Sequence, residues 1–394
     1  MRWLDQIVES TLESESPERF QYWSALCAVS AVVKKNLYLD RFYYKLYPNI
    51  YVFLVARSGL RKSNPVTLAK KLVEETMATR IIAGRNTVQA VLRDLGKAQS
   101  IHGGGVLKDA SGFMVSGELA SFLVKDPDAL TILTDLYDTY ANEPEWKNTL
   151  KSGTDSLRNP CLTLLGATNE DHFKDAVPQN AIGGGFIART IIVYENQRRT
   201  INSLMDAPKV TPVIKDLACY LKEIAKIQGQ FKLAPEARDW FRDWYGKLSI
   251  MDHQDRTGSL ERLGDTVLKV AMLLCLSETL ELEIKEHHVI EAAEKCQECI
   301  AGLKHVTMGQ GRNELAYATA LLLKFLISRP EYKATKKNVL AKFWGEFDSV
   351  TLDRIAETLQ DSGGISITRA GKEVIYQMHK RAVEAYTKFK AEIN

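Results

Sequence analysis

Residues Tyr51–Ser63 read YVFLV-ARSGLRKS. Tyr51–Val55 is a short apolar run rich in strand formers, the pattern of a strand buried on both faces in a parallel sheet. It runs into Ala56-Arg57-Ser58-Gly59-Leu60-Arg61-Lys62-Ser63-Asn64, and a helical pattern follows over Pro65–Met77. Strand, glycine-bearing loop, Lys-Ser and helix is the order of a P-loop. There, backbone N–H groups and a helix N-terminus cradle phosphates, a lysine reaches the β- and γ-phosphates, and a hydroxyl holds Mg²⁺. The strict pattern has glycine where Ala56 and Arg61 stand here, and Gly59 remains where the loop must bend. The bare motif is also satisfied by a Lys-Ser opening an ordinary helix, so the neighbouring strands must decide.

Three further apolar runs end in groups suited to the same chemistry. Gly112–Val115 leads to Ser116-Gly117-Glu118, and a carboxylate at such a strand end can polarise an attacking water. Gly117 stands where an acid that helps hold Mg²⁺ is usual, so the metal would lean on Ser63, on water and on Glu118 as a further candidate; the alternative for Glu118 is an acid in a first helical turn. Cys161–Ala167 leads to Thr168-Asn169, whose amide can position the water, or simply cap a helix. Thr190–Tyr194 follows Gly183-Gly184-Gly185 and Arg189, a candidate finger for the nucleotide of a neighbouring subunit, or a salt-bridged surface arginine. Alternating strands and helices predict a mainly parallel sheet covered on both faces. The expected fold is therefore α/β, an AAA+/RecA-like P-loop core.

Composition narrows the class. The 394 residues carry 52 Lys+Arg against 49 Asp+Glu, a net charge of +3, so any polyanion site must be a local patch. With 45% hydrophobic residues the chain is no disordered tail. The six cysteines sit mostly in apolar runs, and Cys296-x-x-Cys299 lacks the second ligand pair of a structural zinc site. Adjacent His287 and His288 are not expected to share a helix face. No signal-peptide or membrane-spanning run is visible, which predicts a reduced, cytoplasmic protein.

After about residue 205 the strand signal fades. Four amphipathic helices are expected over 209–227, 235–250, 258–280 and 286–303, an all-α lid, with another helix over 312–328. Residues 335–394 read as two helices, a Ser-Gly-Gly turn and a hairpin, Ile365–Thr368 and Glu373–Gln377, tipped by Arg369-Ala370-Gly371-Lys372. That order suggests a winged helix. The expected domains are 1–45, a helical segment packing on the core; 46–205, the core; 206–310, the lid; and 311–394, the winged helix. Lys333, Lys336, Lys337, Arg369 and Lys372 are candidate DNA contacts, although 331–394 holds 11 basic and 9 acidic side chains, as a mixed solvated surface would.

Residues 17 to 195 resemble a P-loop ATPase family of phages and mobile elements, often fused to primases, through SPERFQYWSALCAVSAVV, ARSGLRKS, FMVSGELASFL, LTLLGATN and GGGFIARTIIVY. LAPEARDWFRDW and SLERLGDTVLKVAMLL are similar to the lid of AAA+ minichromosome-maintenance-type helicases. The resemblance implies Arg262 as a sensor arginine reaching back to the nucleotide, with Lys269 the runner-up. It also implies a pore hairpin over 144–158, where Lys147, Lys151 and Arg158 would follow a phosphate backbone and Trp146 would stack on a base. Against that stand Glu143, Glu145 and Asp155, the balanced charge of an ordinary loop. The implied activity is an ATP-dependent DNA helicase, a hexameric ring moving on single-stranded DNA in the cytoplasm of a host. ATP and Mg²⁺ are its cofactors. No primase-like acidic cluster precedes the core, so primer synthesis would need a separate primase or polymerase. A replication initiator or regulator with a nucleotide switch, and an ATPase acting on protein, are the alternatives.

Overall fold

The computed structural model describes residues 1–84, 87–97, 99–102, 105–118, 122–123, 128–138, 145–150, 153–177, 185–202, 214–248, 257–307, 315–371 and 373–384. They fall into two compact units, Met1–Leu303 and Lys304–Asn394.

The first unit is built on a five-stranded, all-parallel sheet. Its strands in chain order are β1 (Tyr51–Val55), β2 (Arg80–Ala83), β3 (Ser111–Ser116), β4 (Cys161–Thr168) and β5 (Thr190–Tyr194). In space they run β5-β1-β4-β3-β2. Every residue of β1 and of β4 is buried, because these central strands are covered on both faces. β2 is the strand that the sequence conceals. It is an edge strand with Ile82 alone fully buried, so it lacks a continuous apolar run.

The N-terminal helical reading breaks in two. Trp3–Ser10 and Glu18–Val33 are separate helices, with Pro17 at the start of the second, where its missing N–H costs nothing. From Phe20 to Val33 the second helix is buried all round, as an apolar helix inside a large core must be. It is tied to the sheet through Ser30 Oγ and Thr163 Oγ1, 2.8 Å apart.

The all-α expectation for the lid needs correction. Gly229–Leu233 pairs in parallel with Leu37–Asp40 and with Glu283–Ile284, making a second, four-stranded sheet with Lys45–Leu46. Of Gly229–Leu233 only Phe231 is buried, too sparse a pattern to register as a strand. The helices Ile214–Lys226, Pro235–Leu248, Ser259–Glu278 and Glu286–Thr307 agree with the expected positions. They share one continuous core with the N-terminal helices and the parallel sheet. By contacts, residues 1–303 form one compact unit and residues 304–394 a second.

The second unit runs helix Ala316–Ile327, strand Lys333–Thr335, helices Lys336–Phe343 and Ser349–Asp361, then the hairpin Ile365–Ala370 and Glu373–Met378. Its three strands form an antiparallel sheet with Glu373–Met378 in the centre, around a core that includes Leu322, Ile355 and Tyr376. Among the described residues, no helix of the chain is long and apolar enough to cross a membrane.

Candidate nucleotide site

The loop leaves the carboxyl end of β1, where ligands of open parallel sheets bind. Ala56 is buried and its N–H donates to Thr168 O (3.4 Å), anchoring the loop to β4. Gly59 has φ +91°, a conformation that its missing side chain permits. Arg61 has φ +52°, although it is not glycine. The backbone at 61 therefore takes the left-handed turn that a P-loop glycine supplies, and neighbours hold it there. Ser16 Oγ donates to Arg61 O (2.8 Å), and Arg61 Nε donates to Glu15 Oε2 (2.8 Å). Lys62 is half-buried and folds back over the loop, donating to Ala56 O (2.7 Å) and Arg57 O (2.8 Å). Burial pushes its ammonium pKa below the ordinary lysine value, opposed by the charge of Glu170.

Arg57, Ser58, Gly59, Arg61, Ser63 and Asn64 are exposed around this turn. Leu60 instead packs into the core, so only its backbone faces the loop. The helix Ser63–Thr76 begins with no side-chain cap; Asn64 N–H donates to Arg61 O (3.1 Å) and Pro65 carries no N–H, so the amides offered to the loop at this helix start are those of Lys62 and Ser63. Ser63 offers the one hydroxyl at that helix start, which suits Mg²⁺ as an ion that keeps several waters.

β4 stands between β1 and β3, so the end of β3 lies about 9–10 Å from the loop strand. That gap is wide enough for a terminal phosphate and a water. Glu118 is exposed at its rim, its N–H donating to Ser116 Oγ (3.3 Å). Asn169 is occupied as a helix cap: its Oδ1 accepts from His172 N–H (2.7 Å) and its Nδ2 lies 3.2 Å from His172 Nδ1. Turning that amide to a water would require it to leave one of these partners.

Arg189 and Arg262 lie elsewhere. Thr190 pairs with Tyr51, so Arg189 sits at the amino end of the sheet, about 16 Å along the strands from the loop. There Arg189 Nε donates to Asp138 Oδ2 (2.8 Å) and Nη1 to Gly185 O (2.8 Å). Arg262 Nη1 reaches the other oxygen of Asp138 (3.4 Å). Arg262 is thus engaged with Asp138 and lies away from the loop of its own chain. Lys269, the runner-up, is buried and donates to Asn49 O (3.1 Å) and Oδ1 (2.9 Å), with its ammonium 3.7 Å from the centre of the Tyr137 ring. Gly183 and Gly184 lie outside the described residues.

The hairpin forms as expected, Glu145–Leu150 against Gly153–Arg158. Lys147 is exposed and pairs with Glu145 (3.1 Å), and Arg158 stands across the ladder from Glu145. Lys151 and Lys372 lie outside the described residues. In the second unit Lys333 pairs with Glu331 and Lys336 with Asp353 (2.6 Å). Lys337 and Arg369 are exposed, while the helix Ser349–Asp361 shows Asp353, Glu357 and Asp361 to solvent against Arg354.

Two groups escaped the sequence reading. His287 and His288 do converge, both at Glu278 Oε2 (2.9 and 3.1 Å), because they open a helix beside the end of another. Lys285 N–H donates to His288 Nδ1 (3.1 Å), so the neutral ring carries its proton on Nε2 and donates to Glu278; Glu278, His287 and His288 bring one possible ligand atom each to within 4.8 Å of one another. Arg198 is the second, brought beside the loop by Glu15. Its only sequence signal was a charged pair just after a strand end. No protein-family model matches the chain, and no curated protein matches it.

Proposed function

We propose that the chain is a P-loop ATPase that acts on DNA, a helicase of phage or mobile-element type working as a hexameric ring on single-stranded DNA. One observation carries the reading: at the carboxyl end of an all-parallel sheet, a loop with left-handed Gly59 and Arg61 places Lys62 and an uncapped helix start around an exposed turn. The strand order, with β4 between the loop strand and the Glu118 strand, supports an AAA+-type core. In this reading Lys62 and the loop amides hold the phosphates of ATP, and Mg²⁺ when bound neutralises charge beside Ser63. Glu118 polarises the water and Asn169 positions it. Arg189 and Arg262 lie far from their own loop, a placement that suits service to a neighbour's nucleotide. The second unit's helix and hairpin order supports a winged helix.

A switch protein that initiates or regulates replication is the second reading. It is favoured by Gly117 in place of an acid and by the engagement of Asn169 as a cap. ATP turnover with and without single-stranded DNA, together with native mass and strand displacement, separates the two. DNA-stimulated turnover by a ring supports the helicase; binding without turnover supports the switch.

A further inference from the structure

Glu15 is a nearly buried carboxylate in the segment between the first two helices, with its side chain only 6% exposed. Its two oxygens hold two guanidinium groups, Arg61 Nε at 2.8 Å and Arg198 Nη1 at 2.9 Å, whose side chains are 44% and 41% exposed. Arg61 belongs to the loop, whereas Arg198 arrives from beyond β5. The backbone after β5 is pinned to the loop strand, since Glu195 N–H donates to Val55 O (3.1 Å). Arg198 Nη2 then lies 3.9 Å from where a side chain on Gly59 would begin, directly over the bend of the loop. Arg199, its neighbour, does a different job: it pairs with Glu18 (2.8 Å) and its N–H donates to Glu15 O (3.4 Å).

One carboxylate for two guanidiniums leaves a net positive charge on an exposed turn that also carries Lys62 and Arg57. The arginine pair shares a single anchor, so each is held in place while the site stays short of negative charge. The planar fork of arginine matches the oxygens of a phosphate.

We infer that Arg198, positioned by Glu15, is a phosphate-binding residue of the loop site, contributed by the same chain and specific for a nucleoside triphosphate or diphosphate. This rests on the proposed nucleotide reading of the loop. It gives Glu15 the task of presenting Arg198 and of holding Arg61 in its left-handed turn.

The test is titration calorimetry of the full chain with Mg-ATP and Mg-ADP. Arg198→Ala should weaken Mg-ATP roughly ten- to hundredfold, the range for a lost charge-assisted hydrogen bond. Arg198→Lys should recover part of the loss, Arg199→Ala should bind as wild type, and Arg198→Ala, which leaves the Glu15 carboxylate to Arg61, should still melt cooperatively as a folded protein. Wild-type affinity in Arg198→Ala, beside a Lys62→Ala protein that fails to bind, overturns the role of Arg198 and leaves the loop assignment standing. A weakened Arg198→Ala protein that melts earlier and is not rescued by lysine also overturns it, since Arg198 would then only support the fold. No binding by the wild-type protein overturns both.

Discussion

The two ends of the parallel sheet use the same charged residue types to opposite effect. At the carboxyl end, Lys62, Arg57, Arg61 and Arg198 gather on a largely exposed turn, and Glu15 is the acid that anchors two of them. At the amino end, Asp138 takes both Arg189 and Arg262, and Lys269 is buried against Asn49 and the Tyr137 ring. Asp138, in the helix Ala129–Asp138, is held by both arginines. The first end keeps cations in excess beside a helix start with no side-chain cap, as an anion site needs. The second sets Asp138, Asp135 and Asp265 against Arg189, Arg262 and Lys269 inside one chain, and can open only if something better replaces Asp138.

The largest effect expected from this contrast is at Arg189. If a neighbour's nucleotide is what replaces Asp138, Arg189→Ala should bind ATP and assemble normally yet lose about 10³–10⁵ in turnover. Mixing it with Glu118→Gln protein should restore part of the activity in mixed rings. A loss of melting temperature with turnover per folded molecule intact would make the amino end purely structural.

Glu118→Gln should come next. Nucleotide binding should persist while hydrolysis falls about 10²–10⁴-fold, as for loss of a general base. Normal single-turnover hydrolysis would remove Glu118 from the gap beside β4.

Lys269 tests how strictly the amino end is buried. Burial lowers its folded-state pKa to about 7 from 10.5, against the pull of Asp138 and Asp265. Between those two values the unfolded chain holds the extra proton, so stability should rise with pH across this window, by up to about 1.4 kcal/mol per unit. Lys269→Met should flatten that rise in denaturant melts taken from pH 7 to 10. An unchanged slope would show that Lys269 keeps its charge when folded.

The smallest effect lies outside both ends. Lys147→Ala should reduce the salt slope of single-strand binding by about 0.7, one phosphate contact. Because Lys147 already pairs with Glu145, no change in slope would assign it to the hairpin surface instead.

The parallel sheet was legible because β1, β3, β4 and the edge strand β5 are apolar runs buried along nearly their whole length. β2 was not, since at its edge Ile82 alone is fully buried. The strand Gly229–Leu233 hid for the same reason, with Phe231 alone buried. Lys62 and Ser63 could be read from their position between a strand and a helix. The left-handed Arg61 could not, because its conformation is imposed by Ser16 and Glu15, 45 and 46 residues away. Arg198 was hidden likewise, its partner lying 183 residues earlier in the chain. The helical spacing around Arg262 gave the helix correctly, but which end of the sheet that helix faces is decided by packing of the whole core.

The most direct measurement is Mg-ATP binding to the wild-type chain and to a Lys62→Ala protein shown by circular dichroism to be folded. If the exposed turn at the carboxyl end is a nucleotide site, the wild-type chain binds saturably and the Lys62→Ala protein does not. Equal affinities in the two folded proteins would contradict it.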